Sequence, residues 1–245
     1  MLNMIRAELY RLRHCGIFLL LAAVSSILTI SLYFVIAHDT FKTADLSGHC
    51  QVMGEIGWLF MLMVVVTISG IYIGTAYNNR MAYYEVMNGY SPAKIILSKL
   101  FSLGLVFTLI AFIPSALLMF IYYLKNGAGM VENVPGAFLL LFFTILHSVV
   151  VCVLYSMLSR NIALSAFIAY IRLGIIDMVP IAVLAEYKKD ALDADILCIS
   201  SSGSLMAISS ISSWRPLEIA LLSMLVECTL VFILVYFIYK KKKFK

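Results

Sequence analysis

Charge is scarce in this chain. Asp, Glu, Lys and Arg make up 13% of its 245 residues, against about 25% in a soluble domain. The complement is apolar: 63% hydrophobic residues and a mean hydropathy of +1.01. Such a chain cannot clothe a water-soluble core, so it is expected to be an integral membrane protein. No Gly-Lys pair occurs anywhere, which removes the G-x-x-x-x-G-K-[ST] phosphate loop and with it that means of holding a nucleotide. HExxH and Gly-x-Ser-x-Gly are also missing, and no His/Cys/Asp set has metal-ligand spacing. No enzyme chemistry and no cofactor are expected on this chain. Basic residues lie at the edges of apolar runs and form no nucleic-acid surface. The five cysteines have no CxxC spacing. Cys15, Cys152 and Cys228 fall in or beside apolar runs and read as packing residues. Cys50 and Cys198 fall in polar loops, where pairing depends on a proximity that sequence does not give.

What is present is a series of long apolar runs. A helix needs about 20 residues to cross about 30 Å of hydrocarbon. Six runs qualify: 16–37, 57–77, 100–123, 136–158, 162–184 and 217–239. They are continuous rather than alternating, which favours helices over barrel strands. The first is longer than a signal-peptide core and lacks a small-residue cleavage site. The expected fold is all-α and polytopic, a single transmembrane domain over 1–245. With the N-terminus inside, twelve Lys and Arg fall on inner segments and five on outer ones. That asymmetry is expected to put both ends on the inner side of the membrane.

Four segments lie outside these runs. Residues 1–15 read as an amphipathic helix lying in the inner interface: Met1, Ile5, Leu9 and Leu12 repeat at helical spacing, and Arg6, Glu8, Arg11 and Arg13 occupy other positions of the wheel or its end. The tail 240–245, with four consecutive lysines, is a basic anchor for anionic lipid or simply sets topology. The connection 185–216 is long and has a small-residue, apolar centre around "SSSGS". It either lies on the outer face or re-enters the membrane where protein covers its backbone.

The fourth is "NNRMAYYEVMNGYSPAKIILSKL", 78–100. Gly89 suits the left-handed position after a helix end, Ser91 suits an N-cap, and Pro92 suits the first turn of the next helix. The stretch reads as helix, corner, helix on the inner side, the second helix running from Ala93 into the third span. Tyr83, Tyr84 and Tyr90 can fill an apolar groove on a partner, with Arg80, Glu85 and Lys94 at its rim. An interfacial helix with tyrosines at headgroup level accounts for the same residues.

Four ionisable residues lie in the middle third of predicted spans: His147, Arg172, Asp177 and Glu227. Such groups are costly in a bilayer and pair with one another. Arg172 and Glu227 are expected to pair, with His147 nearby. The pair either holds two spans together, lines a route, or couples a conformational switch. Arg172 and Asp177 are five apart, point in different directions on an α-helix, and are not expected to meet. Pro114 and Pro180 should kink their spans. Gly70 and Gly74 make a small-xxx-small packing step.

In layout the chain resembles the membrane subunit of ABC-2 type transporters. The features that carry the likeness are the basic "RAELYRLR" helix, six spans, the corner "NGYSPAKIILSKL" and the extended element between the last two spans. In size it is similar to the small permeases of lantibiotic-immunity and peptide-antibiotic exporters. The resemblance implies that 80–94 contacts a cytosolic ABC ATPase subunit, which would carry the ATP and Mg2+. It also implies a second permease, the same or related. The substrate would be an amphipathic peptide or lipid-like molecule in contact with membrane lipid. A stand-alone ion-coupled transporter or channel, and a non-transporting scaffold or sensor, are the competing classes.

Overall fold

A computed structural model describes residues 2–14, 45–78, 85, 87–159, 161–179 and 194–241, with isolated positions at 16, 23, 24, 26, 27, 31, 181 and 183. Among these residues the chain is all-helical. The elements are α1 (Leu2–His14), α2 (Leu46–Val52), α3 (Trp58–Asn78), α4 (Pro92–Lys99), α5 (Leu105–Asn126), α6 (Val134–Ser159), α7 (Ile162–Ile171), α8 (Ala194–Leu197), α9 (Ser201–Ala207) and α10 (Arg215–Lys241).

Among the described residues, four helical stretches are long and apolar enough to cross a membrane: Trp58–Ala76, Pro92–Asn126, Val134–Ser159 and Arg215–Lys240. They carry the second, third, fourth and sixth predicted runs. The first run lies almost wholly outside the described residues. The fifth is helical over Ile162–Ile171 and continues through a wider turn. The third predicted run, 100–123, lies within a longer helix, as the sequence around Pro92 implies. α4 joins α5 through Leu100–Gly104 to make one helix of 35 residues. The helix that follows the polar corner is therefore continuous with the third apolar run. Pro114 sits inside α5 without ending it. Pro180 lies outside the described residues.

Three of the joints are π-helical turns: Met53–Gly57, Leu100–Gly104 and Arg172–Ile176. In them the backbone bond skips to the fifth residue, as from the Trp58 N–H to the Met53 carbonyl and from the Asp177 N–H to the Arg172 carbonyl. Such turns commonly stand at functional sites.

α6 is the central helix. In its most apolar window 67% of the residues are buried, against 11% for α10, so α10 faces outward along most of its length. α6 packs on α3, α5, α7 and α10. Gly70 and Gly74 are both buried on α3, which packs on α6 and α7.

At the end opposite α1, short elements form a dense cap. Asp45 caps α2, accepting from the Gly48 N–H at 2.9 Å and the Ser47 hydroxyl at 2.7 Å. Those hydrogen bonds hold its carboxyl below the usual range. The Leu46 N–H donates to the Gly127 carbonyl. Gly129 has φ +61°, and a Cβ there would lie 2.0 Å from an Asp45 carboxylate oxygen, so only glycine fits. α9 is inserted rather than superficial. Ser201, Ser202, Ser204 and Leu205 are buried, and the helix packs on α6 and α10. Ser200 starts it as an N-cap, its hydroxyl accepting from the Gly203 N–H at 3.0 Å. Cys50 and Cys198 are both buried and both free, so the pairing left open by the sequence is not made.

Candidate functional site

Two polar constellations stand out from an apolar molecule. The first joins α1 to the corner before α4. The residues of α1 buried against the bundle are Met4, Glu8 and Leu12, an i, i+4, i+8 stripe. This corrects the wheel drawn from sequence. Glu8 points inward, while Leu9 and Leu2 are exposed on other faces. The reason is a buried cation. Lys99 Nζ donates to Glu8 Oε1 at 2.8 Å and to Glu85 Oε1 at 3.1 Å. Lys99 is 3% exposed, Glu8 4% and Glu85 8%. The Arg11 guanidinium, partly exposed, adds contacts of 3.2 Å to Glu8 and 3.4 Å to Glu85. The Tyr72 hydroxyl donates to Glu8 Oε2 at 3.3 Å. Burial pushes the Glu8 carboxyl up, but the Lys99 ammonium, its hydrogen bond and Arg11 outweigh that and hold it below the usual range.

Four segments thus meet at one clamp: α1, the corner, α3 through Tyr72, and the 35-residue helix through Lys99. Glu85, expected at an exposed rim, is instead part of this clamp. The corner itself forms as the sequence predicts. Gly89 has φ +78°, and Ser91 is extended at the N-cap with Pro92 following. The Ser91 side chain makes no capping hydrogen bond. Tyr90, Gly89, Ser91 and Lys94 are exposed, as are Arg6, Arg11 and Arg13 on α1. Arg80, Tyr83 and Tyr84 lie outside the described residues. Between α1 and the corner is a cleft of about 190 Å³, bordered by Asn3, Ala7 and Arg11 on one side and Glu85, Asn88 and Tyr90 on the other.

The second constellation is at mid-span. Arg172 Nε donates to Glu227 Oε1 at 2.8 Å and Nη2 to Glu227 Oε2 at 2.5 Å. This two-pronged geometry matches a guanidinium to a carboxylate. Arg172 also bonds Asp177, which corrects the expectation that they diverge. In an α-helix, residues five apart are about 140° apart around the axis. The π turn at Arg172–Ile176 closes that angle and stacks Asp177 over Arg172. His147 Nε2 lies 3.0 Å from Glu227 Oε2, and its Nδ1 lies 3.1 Å from the Ser201 hydroxyl. His147 is near the middle of α6, about 20 Å from either end at 1.5 Å per residue. Ser201 reaches it, so α9 penetrates to mid-bundle; residues 185–193 of the 185–216 connection lie outside the described residues. One oxygen of each of two buried carboxylates, Glu85 Oε2 and Asp177 Oδ2, has no hydrogen-bond partner.

Sequence reasoning identified Arg172, Glu227 and His147 as one cluster and missed Lys99, Tyr72 and Ser201. In the sequence Lys99 is one of the twelve inner basic residues, with nothing to mark its buried partners. Among the described residues there is no group of metal-binding side chains. The chain matches no family model and no curated protein.

Proposed function

We propose that the chain is the membrane-spanning permease subunit of an ATP-driven ABC exporter, expelling an amphipathic substrate such as a peptide antibiotic. The observation that carries this reading is the clamp. A surface segment that only decorated the membrane interface would need no buried ion pairs to the spanning bundle. Here the corner leads directly into a 35-residue helix. Glu8, Glu85 and Lys99 weld it to α1. A force applied at the cleft is passed along a helix about 50 Å long at 1.5 Å per residue. That is the mechanical link a chain without a phosphate loop needs to use a partner's ATP. The ATPase would dock on α1 and the corner, on the inner side of the membrane. The exposed Tyr90 would serve as an apolar anchor and Lys94 would lie at the rim. A second permease would cover part of the outward apolar face of α10, where Leu222, Leu225 and Leu230 are exposed.

The test is purification of the tagged chain from native membranes in mild detergent. An ATPase is expected to co-purify, and Asn88→Arg/Tyr90→Ala should remove it while leaving the permease folded. Retention of the ATPase by that variant would place docking elsewhere. A stand-alone ion-coupled transporter is favoured by one observation, the four ionisable groups at mid-span. Uptake into proteoliposomes driven by an ion gradient, with no ATPase present, would establish it instead.

A further inference from the structure

The mid-span cluster carries an unbalanced charge. Arg172 supplies one positive charge; Asp177 and Glu227, when ionised, supply two negative ones. With a neutral imidazole the set sums to −1, in a region where uncompensated charge is costly. Among the described residues, the other ionisable side chains near it are Tyr155 on α6 and Cys228 on α10, which feel the same charges and add no cation. α3 and α9, which pack against the cluster's helices, carry no Asp, Glu, Lys, Arg, His or Cys.

His147 is the group able to restore balance while both carboxylates stay ionised as acceptors for Arg172. Both of its ring nitrogens are donors in the imidazolium form, and both face an atom that can accept. Nε2 meets Glu227 Oε2 at 3.0 Å and Nδ1 meets Ser201 Oγ at 3.1 Å. The ring is 5% exposed. We propose that this is a proton-binding site: His147 takes up a second proton and stands at mid-span as the counter-charge to the Asp177 and Glu227 carboxylates. The proton comes from water and forms the N–H bond at Nδ1. The Ser201 hydroxyl then accepts from the ring and turns its own hydrogen elsewhere. On release the proton returns to water, Nδ1 becomes an acceptor, and Ser201 must donate to it. The proton thus fixes the direction of the hydrogen bond that ties the inserted helix α9 to the bundle, independently of what docks at the cleft.

The test is nitrogen NMR of the full chain, labelled at histidine, in nanodiscs of phosphatidylcholine and phosphatidylglycerol. Near neutral pH His147 is expected to give two protonated-nitrogen resonances, identified by their loss in His147→Gln. If that variant does not fold, His14→Gln/His38→Gln/His49→Phe leaves His147 as the only imidazole and serves the same purpose. In Glu227→Gln/Asp177→Asn, which has no counter-charge, an unprotonated-nitrogen resonance should return. An unprotonated ring nitrogen at His147 in the unmodified chain, or an imidazolium that persists in the double variant, would overturn the proposal.

Discussion

Replacing Lys99 by methionine is the sharpest perturbation of the clamp. Methionine keeps most of the side-chain volume and removes the charge. In the native chain one ammonium, 3% exposed, sits 2.8 Å from Glu8 and 3.1 Å from Glu85. Without it two buried carboxylates face each other, and only the partly exposed Arg11 remains near them. Surface pairs of that kind contribute about 0–1 kcal/mol. Removing one partner of a buried pair costs about 3–5 kcal/mol. The apolar anchors of α1 toward the bundle are Met4 and Leu12, contributing at most about 1.5–3 kcal/mol each. The two quantities are comparable, so α1 should detach locally before the bundle melts. Hydrogen exchange in detergent or nanodiscs is the assay: protection of α1 and of 85–92 should fall, while α6 stays protected. Glu8→Gln/Glu85→Gln/Lys99→Met, with no buried charge, should regain most of that protection. The pH dependence has a definite sign. Glu8 is held below its ordinary value near 4.5 in the folded chain. Its contribution is complete above 4.5 and is lost as pH falls through the lower folded value. In Lys99→Met this acid-dependent step should be absent. Unchanged protection of α1 in Lys99→Met would refute the reasoning.

Other outcomes follow from the same geometry. Arg172→Met should destabilise by about 3–5 kcal/mol, measured by melting in detergent, and adding Glu227→Met and Asp177→Asn should recover much of it. His49 is buried, stacked on Tyr122 at 4.1 Å, with no hydrogen-bond partner at either ring nitrogen. Burial lowers it from 6.5 to about 4, so it contributes stability above pH 6.5 that is lost as pH falls toward 4, about 3 kcal/mol in full. His49→Phe should melt at the same temperature or higher at neutral pH and should lack that acid loss. A Cβ on Gly54 would lie 2.6 Å from the Leu205 carbonyl; Gly54→Ala should therefore push α9 outward at a cost of about 1–3 kcal/mol, read as faster alkylation of Cys198.

The legible parts were those with a local cause. Apolar length announced the spanning helices, and Gly89 with Ser91 and Pro92 announced the corner. Intramembrane charge announced Arg172 and Glu227, since a lone charge there demands a partner. The illegible parts depend on contact across the chain or on a rare backbone form. Glu8 and Lys99 are 91 residues apart, and no spacing rule links them. The Arg172–Asp177 contact follows from a π turn, which has no sequence signal comparable to Gly or Pro. The continuity of α4 with α5, by contrast, has a local cause: Ser91 and Pro92 start a helix, and nothing after them breaks it before the third run.

The most direct test of the docking account is a photocrosslink from position 90. A photoreactive phenylalanine replaces Tyr90, the exposed side chain at the cleft's edge, and is activated in intact cells. The prediction is a crosslinked species whose added mass is a protein that binds ATP. Crosslinks confined to lipid, with no protein adduct, would contradict it.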